Sequence, residues 1–147
     1  MKSIVALTVM FNTIFGSYGQ DIPESQVPSV VKNTFLTSFT ATTDVEWEKE
    51  KDLYVVEFEI NTVDHKAYID ANGKLLKVKA DMPVDQLPQA VKAAIEKDYP
   101  GYTTDEAESI KQSGVTTYRV EVEKGLVEYK VIYSAEGKLL EKNAGIN

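Results

Sequence analysis

The chain has 147 residues, 43% hydrophobic content, a formal net charge of -7, no cysteine and one histidine. Those values exclude a disulfide scaffold and a two-histidine metal site within one chain. They also argue against a nucleic-acid surface, because phosphate binding needs clustered Lys and Arg, and here the one arginine is Arg119 and the lysines are scattered.

The first nineteen residues read as a secretory signal. Lys2 gives a short positive start and Ile4 to Phe15 a mostly apolar run. Ser17-Tyr18-Gly19 then places small residues where a signal peptidase cuts. Cleavage is expected after Gly19. The run is too short to span a bilayer, and no cysteine follows it for lipid attachment. The expectation is a monomer in the periplasm or outside the cell, without a membrane anchor.

From Gln20 onward the chain is written twice. Tyr54 to Leu76 aligns with Tyr118 to Leu140 at a constant offset of 64, with 11 of 23 positions identical. Upstream, Ile22 to Phe39 aligns with Met82 to Tyr99 at an offset of 60. The change of offset means four extra residues in the second copy, expected between helix and sheet. The division is therefore residues 1–19 signal, 20–80 first repeat and 81–147 second repeat. A unit of about 60 residues without disulfides is marginal alone, which favours two units that stabilise each other.

Each copy opens with a helix. Pro28 and Pro88 suit a first helical turn, where a missing N–H is harmless. Val27, Val31, Phe35 and Phe39 recur every four residues, as do Leu87, Val91, Ile95 and Tyr99. Each set makes one apolar stripe that must be buried. Pro100-Gly101 stops the second helix, and Thr40 to Thr43 end the first through β-branched residues.

Four strands follow in each copy. A first strand is expected at Val45 to Glu50, with its copy at Ala107 to Gln112. Tyr54, Val56, Phe58 and Ile60 alternate with polar neighbours, as do Tyr118, Val120 and Val122, so each strand is half-buried. The next strands hold His65, Ala67 and Ile69, and Tyr129, Val131 and Tyr133. Asp70-Ala71-Asn72-Gly73 and Ser134-Ala135-Glu136-Gly137 read as turns, not as calcium loops, because the closing bidentate Glu is missing. Last strands are expected at Lys74 to Lys79 and Lys138 to Lys142. If Asn61-Thr62 and Gly125-Leu126 are central turn residues, Glu57 faces Lys66 and Glu121 faces Lys130, a favourable cross-strand arrangement.

The fold class is α+β: two tandem repeats of a helix plus a four-stranded antiparallel sheet. The sequence leaves open whether the sheets merge into one continuous eight-stranded sheet or remain separate; the small size of each unit favours merging or close packing. One sheet face meets the helices and the other is wet.

Leu87-Pro88-Gln89-Ala90-Val91-Lys92, Tyr99-Pro100-Gly101, Tyr118-Arg119-Val120-Glu121 and Glu136-Gly137-Lys138-Leu139-Leu140 together resemble the PepSY-like domain family. That family is similar in fold to bacterial β-lactamase-inhibitor proteins. The resemblance spans Asp21 to about Lys142 in two copies. It departs in the first copy, where Phe39-Thr40-Ala41 stands in place of aromatic-Pro-Gly. It implies an exported protein whose motifs are structural, with inhibition or protein binding inferred by analogy.

Catalytic chemistry finds little support. His65 lies on the core-facing side of its strand and Tyr129 replaces it in the second copy. No Gly-x-Ser-x-Gly turn or phosphate-binding glycine loop is present. Glu57 and Glu59 read as solvated charge on one strand face. No cofactor and no metal are expected. The open face offers Tyr68 beside Lys66 in one copy and Ile132 beside Lys130 in the other, with Val55 sharing that face. Glu57, Lys66, Tyr68, Arg119, Lys130 and Ile132 are therefore the candidate binding surface for an unidentified envelope or extracellular protein. The rival readings are a small-ligand or cation carrier with a cleft between the copies, and an envelope hydrolase using His65.

Overall fold

The computed structural model describes residues 19–145, so residues 1–18 of the expected signal lie outside the described residues. In chain order the elements are β1 Gln20–Ile22, α1 Ser29–Ser38, β2 Thr42–Glu50, β3 Leu53–Ile60, β4 Val63–Asp70, β5 Leu75–Met82, α2 Gln89–Asp98, β6 Thr103–Gln112, β7 Val115–Lys124, β8 Val127–Ser134 and β9 Leu139–Ala144. Short 3-10 turns precede both helices. All nine strands form one antiparallel sheet in sequence order.

Each helix starts directly after its proline. Pro28 and Pro88 are the N-caps, extended at ψ 144° and 142°. Their carbonyls accept from the Lys32 and Lys92 N–H groups at 3.0 Å, so the first turn closes without a side-chain cap. Val31 and Phe35 of α1, and Val91 and Ile95 of α2, are buried. Each is worth about 1.5–3 kcal/mol against exposure. The helices lie over one face of the sheet on two separate cores, with Trp47, Val56, Phe58, Ala67 and Ile69 beneath α1 and Val120, Val122, Val131 and Tyr133 beneath α2. The Tyr133 hydroxyl donates to Asp98 at 3.1 Å, tying β8 to the end of α2.

The two charge-based registers are present: Glu57 faces Lys66 and Glu121 faces Lys130. The β3–β4 turn has Asn61 at φ 52° and Thr62 at φ 64°, the type I′ geometry that matches strand twist. Gly125 at φ 63° opens the equivalent β7–β8 turn.

Two expectations are corrected. The sheet has nine strands rather than eight, because Gln20–Ile22 adds an edge strand on Trp47–Lys49. Three residues are too few to show a period, but their backbone pairs all the same. The four extra residues of the second copy also lie elsewhere. Trp47↔Val56 and Ala107↔Val120 are equivalent pairs, whereas the hairpins close at Glu50↔Leu53 and Gln112↔Val115. The insertion is therefore at the tip of the β6–β7 hairpin, not between helix and sheet. Two residues per strand preserve the pleat, so every side chain keeps its face.

The hairpin tip matters because β6 also pairs with β5, from Lys77↔Gln112 to Met82↔Ala107. This seam joins the copies. Strand β5 serves both units: Leu75–Ala80 corresponds to Leu139–Ala144, and Ala80–Met82 corresponds to Gln20–Ile22.

The repeated Gly-Lys-Leu-Leu has a steric cause. Asp70 folds its turn by accepting the Asn72 and Lys74 N–H groups at 2.9 Å. Gly73 and Gly137 then take φ 83° and 84° against the helices. A Cβ on Gly73 would sit 2.7 Å from Val30 Cγ2, and one on Gly137 would collide with the Ala90 carbonyl. The Thr34 hydroxyl donates to the Gly73 carbonyl at 2.6 Å, sealing the turn to α1. Gly114 has a similar φ of 76° with nothing within 4 Å of an added Cβ. Urea denaturation should therefore separate the two costs. Gly114→Ala should cost about 1–2 kcal/mol from backbone strain alone, and Gly137→Ala about 3 kcal/mol or more once the collision is added. Equal losses would contradict the steric account.

Candidate functional site

The face of the sheet turned away from the helices carries all six residues singled out from the sequence. Strand parity puts them there. Glu57, Lys66 and Lys79 align across β3, β4 and β5, and Val55, Tyr68 and Lys77 form the next row. Asp81, Glu108, Arg119 and Ile132 align across β5 to β8, with Glu121 and Lys130 one row further.

The face is held by a charge network. Lys66 pairs with Glu57. Arg119 Nε donates to Glu108 Oε1 at 3.1 Å, and Lys79 Nζ lies 3.6 Å from the same oxygen. Glu108 thus ties β5, β6 and β7 together across the seam. Its side chain is only 13% exposed, so water and salt screen it less than a surface pair. Lys130 Nζ meets Glu121 Oε1 at 2.9 Å.

Tyr68 is half-buried, with Lys77 Nζ 4.0 Å from its ring centroid, a cation–π contact. Burial raises the Tyr68 hydroxyl pKa. Burial, reinforced by the charge of Lys79, lowers that of Lys77. Val55 shares this face as expected, but at 0% exposure it has nothing to offer a partner. Its cross-strand neighbours are Glu48 and Tyr68.

A shallow depression of about 520 Å³ lies on this face and gathers Glu57, Lys66, Tyr68 and Arg119 around the seam residues Asp81 and Glu108. Lys130 and Ile132 lie outside it. Sequence reasoning missed Lys79, Asp81 and Glu108. The alternation of Lys77, Lys79 and Asp81 was visible, but no local turn announces that β5 pairs with β6. Burial, then the charge of Glu108, pushes the Asp81 carboxyl above its ordinary range.

His65, expected on the core-facing side, also lines this depression together with Asp64 and Asp81. Its Nδ1 is engaged, donating to the Val63 carbonyl at 2.8 Å, and its ring stacks on Phe58 with centroids 5.3 Å apart. The carboxylates of Asp105, Glu106 and Glu121 come within 4.8 Å of one another at an exposed end of the sheet. Hydrogen bonding to Glu121 pushes the Glu106 carboxyl up, and the hydrogen bond from Lys130 holds Glu121 down.

A family model described as "Putative beta-lactamase-inhibitor-like, PepSY-like" matches residues 16–77 and again residues 76–141. The chain belongs to this family. Curated proteins give no match. Among solved structures, this PepSY-like chain is similar to a BLIP-like protein of Bacteroides fragilis NCTC 9343, with 21% identity, TM-score 0.73, and coverage of 86% of this chain and 89% of that one. It is similar to a DUF2874 family protein of Bacteroides uniformis ATCC 8492, at 20% identity and TM-score 0.74, covering 80% and 88%. A "putative periplasmic" protein of Bacteroides eggerthii DSM 20697 aligns at 16% identity and TM-score 0.74, covering 80% and 88%. These likenesses establish a BLIP-like fold. The family description is that of inhibitor-like proteins rather than enzymes.

Glu121 gives this PepSY-like sheet a testable titration, its carboxyl held down first by the hydrogen bond from Lys130. Its folded pKa is depressed, so the stability it contributes is present above the unfolded carboxylate value of about 4.3. That stability is lost as pH falls through the depressed folded value. Lys130→Met removes the leading cause. NMR titration should then show the Glu121 midpoint rising, while a midpoint unchanged from the parent would contradict the pairing.

Proposed function

We propose that this protein is an exported, non-enzymatic binding protein that docks a partner protein on the helix-free face of its sheet. The observation that carries the reading is the continuity of that face. Two half-sheets are joined at β5–β6, so Glu57, Lys66, Tyr68 and Arg119 converge on one depression instead of lying on two separate small surfaces. Lys130 and Ile132 extend the surface over β8.

The chemistry suits recognition. Tyr68 and Ile132 supply apolar contact among charges that fix orientation, the usual composition of a protein-binding patch. The charged pairs are already satisfied within the sheet, so a partner need not order them. Export is supported by the signal-like first nineteen residues and by the description of the similar Bacteroides eggerthii protein as periplasmic. Inhibitor-like behaviour is supported by the family description and by the BLIP-like fold.

The test is affinity capture from envelope extract followed by binding measurements with the protein recovered. Tyr68→Ala with Ile132→Ala should weaken that complex by about 30-fold or more, the scale of a hot-spot loss. Leu36→Ala on the exposed side of α1 should leave it unchanged. Loss with Leu36→Ala and retention with the double variant would move the binding surface to the helices.

A further inference from the structure

The opposite side of the seam holds a second feature. Helices α1 and α2 cover the two cores separately, and the strip of sheet between them is floored by the small residues Ala80 and Ser109. There a groove of about 530 Å³ opens between the end of α1 and the tip of the β6–β7 hairpin, a volume within the range of small-molecule sites.

Its lining is chemically divided. Phe39, Ile60, Leu75 and Val78 form an apolar wall on the side of the first repeat. Lys111 stands beside Val78 as its cross-strand neighbour, Lys77 also lines the groove, and the Ser109 hydroxyl lies on the floor, where it donates to the Ala80 carbonyl at 3.3 Å. The lining contains no Asp or Glu, although the chain has 23 acidic residues and a net charge of -7. The hairpin wall is the inserted segment. Lys111 is among the four residues that the second repeat adds to its first hairpin, and the first repeat turns back at Lys51 and Asp52 before reaching the equivalent position.

We infer that this groove binds a long-chain carboxylate, its acyl chain along Phe39, Ile60, Leu75 and Val78 and its carboxylate on the Lys111 ammonium. Charge complementarity selects the anion. A cationic amphiphile would meet Lys111 with like charge, and a short carboxylate would leave the apolar wall in water. The groove opens on the face opposite Tyr68 and Ile132; Lys77, which stacks on Tyr68, reaches its lining, but the inference does not depend on the protein-docking reading.

The probe is dodecanoate, titrated below its micelle concentration into the purified protein by calorimetry. Saturable binding of one equivalent is expected. Lys111→Glu should weaken it by about tenfold or more, because a charged hydrogen bond is replaced by repulsion. Ala80→Leu should weaken it by filling the floor. Thermal melts establish that both variants fold. Should Ala80→Leu fail to fold, Lys111→Glu, an exposed position, decides alone. Dodecyltrimethylammonium and butyrate should not bind the parent, and Ile132→Ala, on the other face, should bind dodecanoate normally. No saturable dodecanoate binding, equal binding by folded Lys111→Glu, or equal binding of the ammonium analogue would overturn the assignment.

Discussion

The pairing of β5 with β6 is the interaction on which the rest of the structure depends. Six residue pairs join the repeats there. Without them each unit would be a helix on a small sheet, too small to be comfortably stable without disulfides. With them, β5 closes the first repeat and opens the second, and neither copy exposes that sheet edge. The shared Glu108, reached by Lys79 from one side and Arg119 from the other, is the side-chain counterpart of this backbone seam.

Both proposed binding surfaces follow from the same pairing. An antiparallel sheet can keep one face wet, and merging two sheets doubles the width of that face. On the covered side the merger has a different effect. Each helix packs on its own core, so a strip remains between them, and the longer β6–β7 hairpin walls it. One structural event thus makes a broad charged face on one side and an acid-free groove on the other.

Much of this was legible in the sequence. The period of four in Val27 to Phe39 and the alternation in Tyr54 to Ile60 reflect burial of one face, a local requirement. The Glu57/Lys66 and Glu121/Lys130 pairs fixed register because a one-residue slip would turn every side chain over. Parity alone placed all six candidate residues on the correct face. What stayed hidden was non-local or parity-neutral. Strand β1 is too short to show a period. The hairpin insertion adds two residues per strand and leaves no trace in the alternation. The seam residues Lys79, Asp81 and Glu108 are brought together across α2, with no turn between them to read. Val55 obeys parity yet is buried, because burial on an open face is set by cross-strand neighbours and not by strand pattern.

Hydrogen exchange resolved to individual amides tests the seam most directly. Amides hydrogen-bonded between β5 (Leu75–Met82) and β6 (Thr103–Gln112) should exchange as slowly as those between β3 and β4, all limited by one global unfolding step. Early exchange along the seam, with the two repeats opening as independent units, would contradict a single continuous sheet as the basis of this protein.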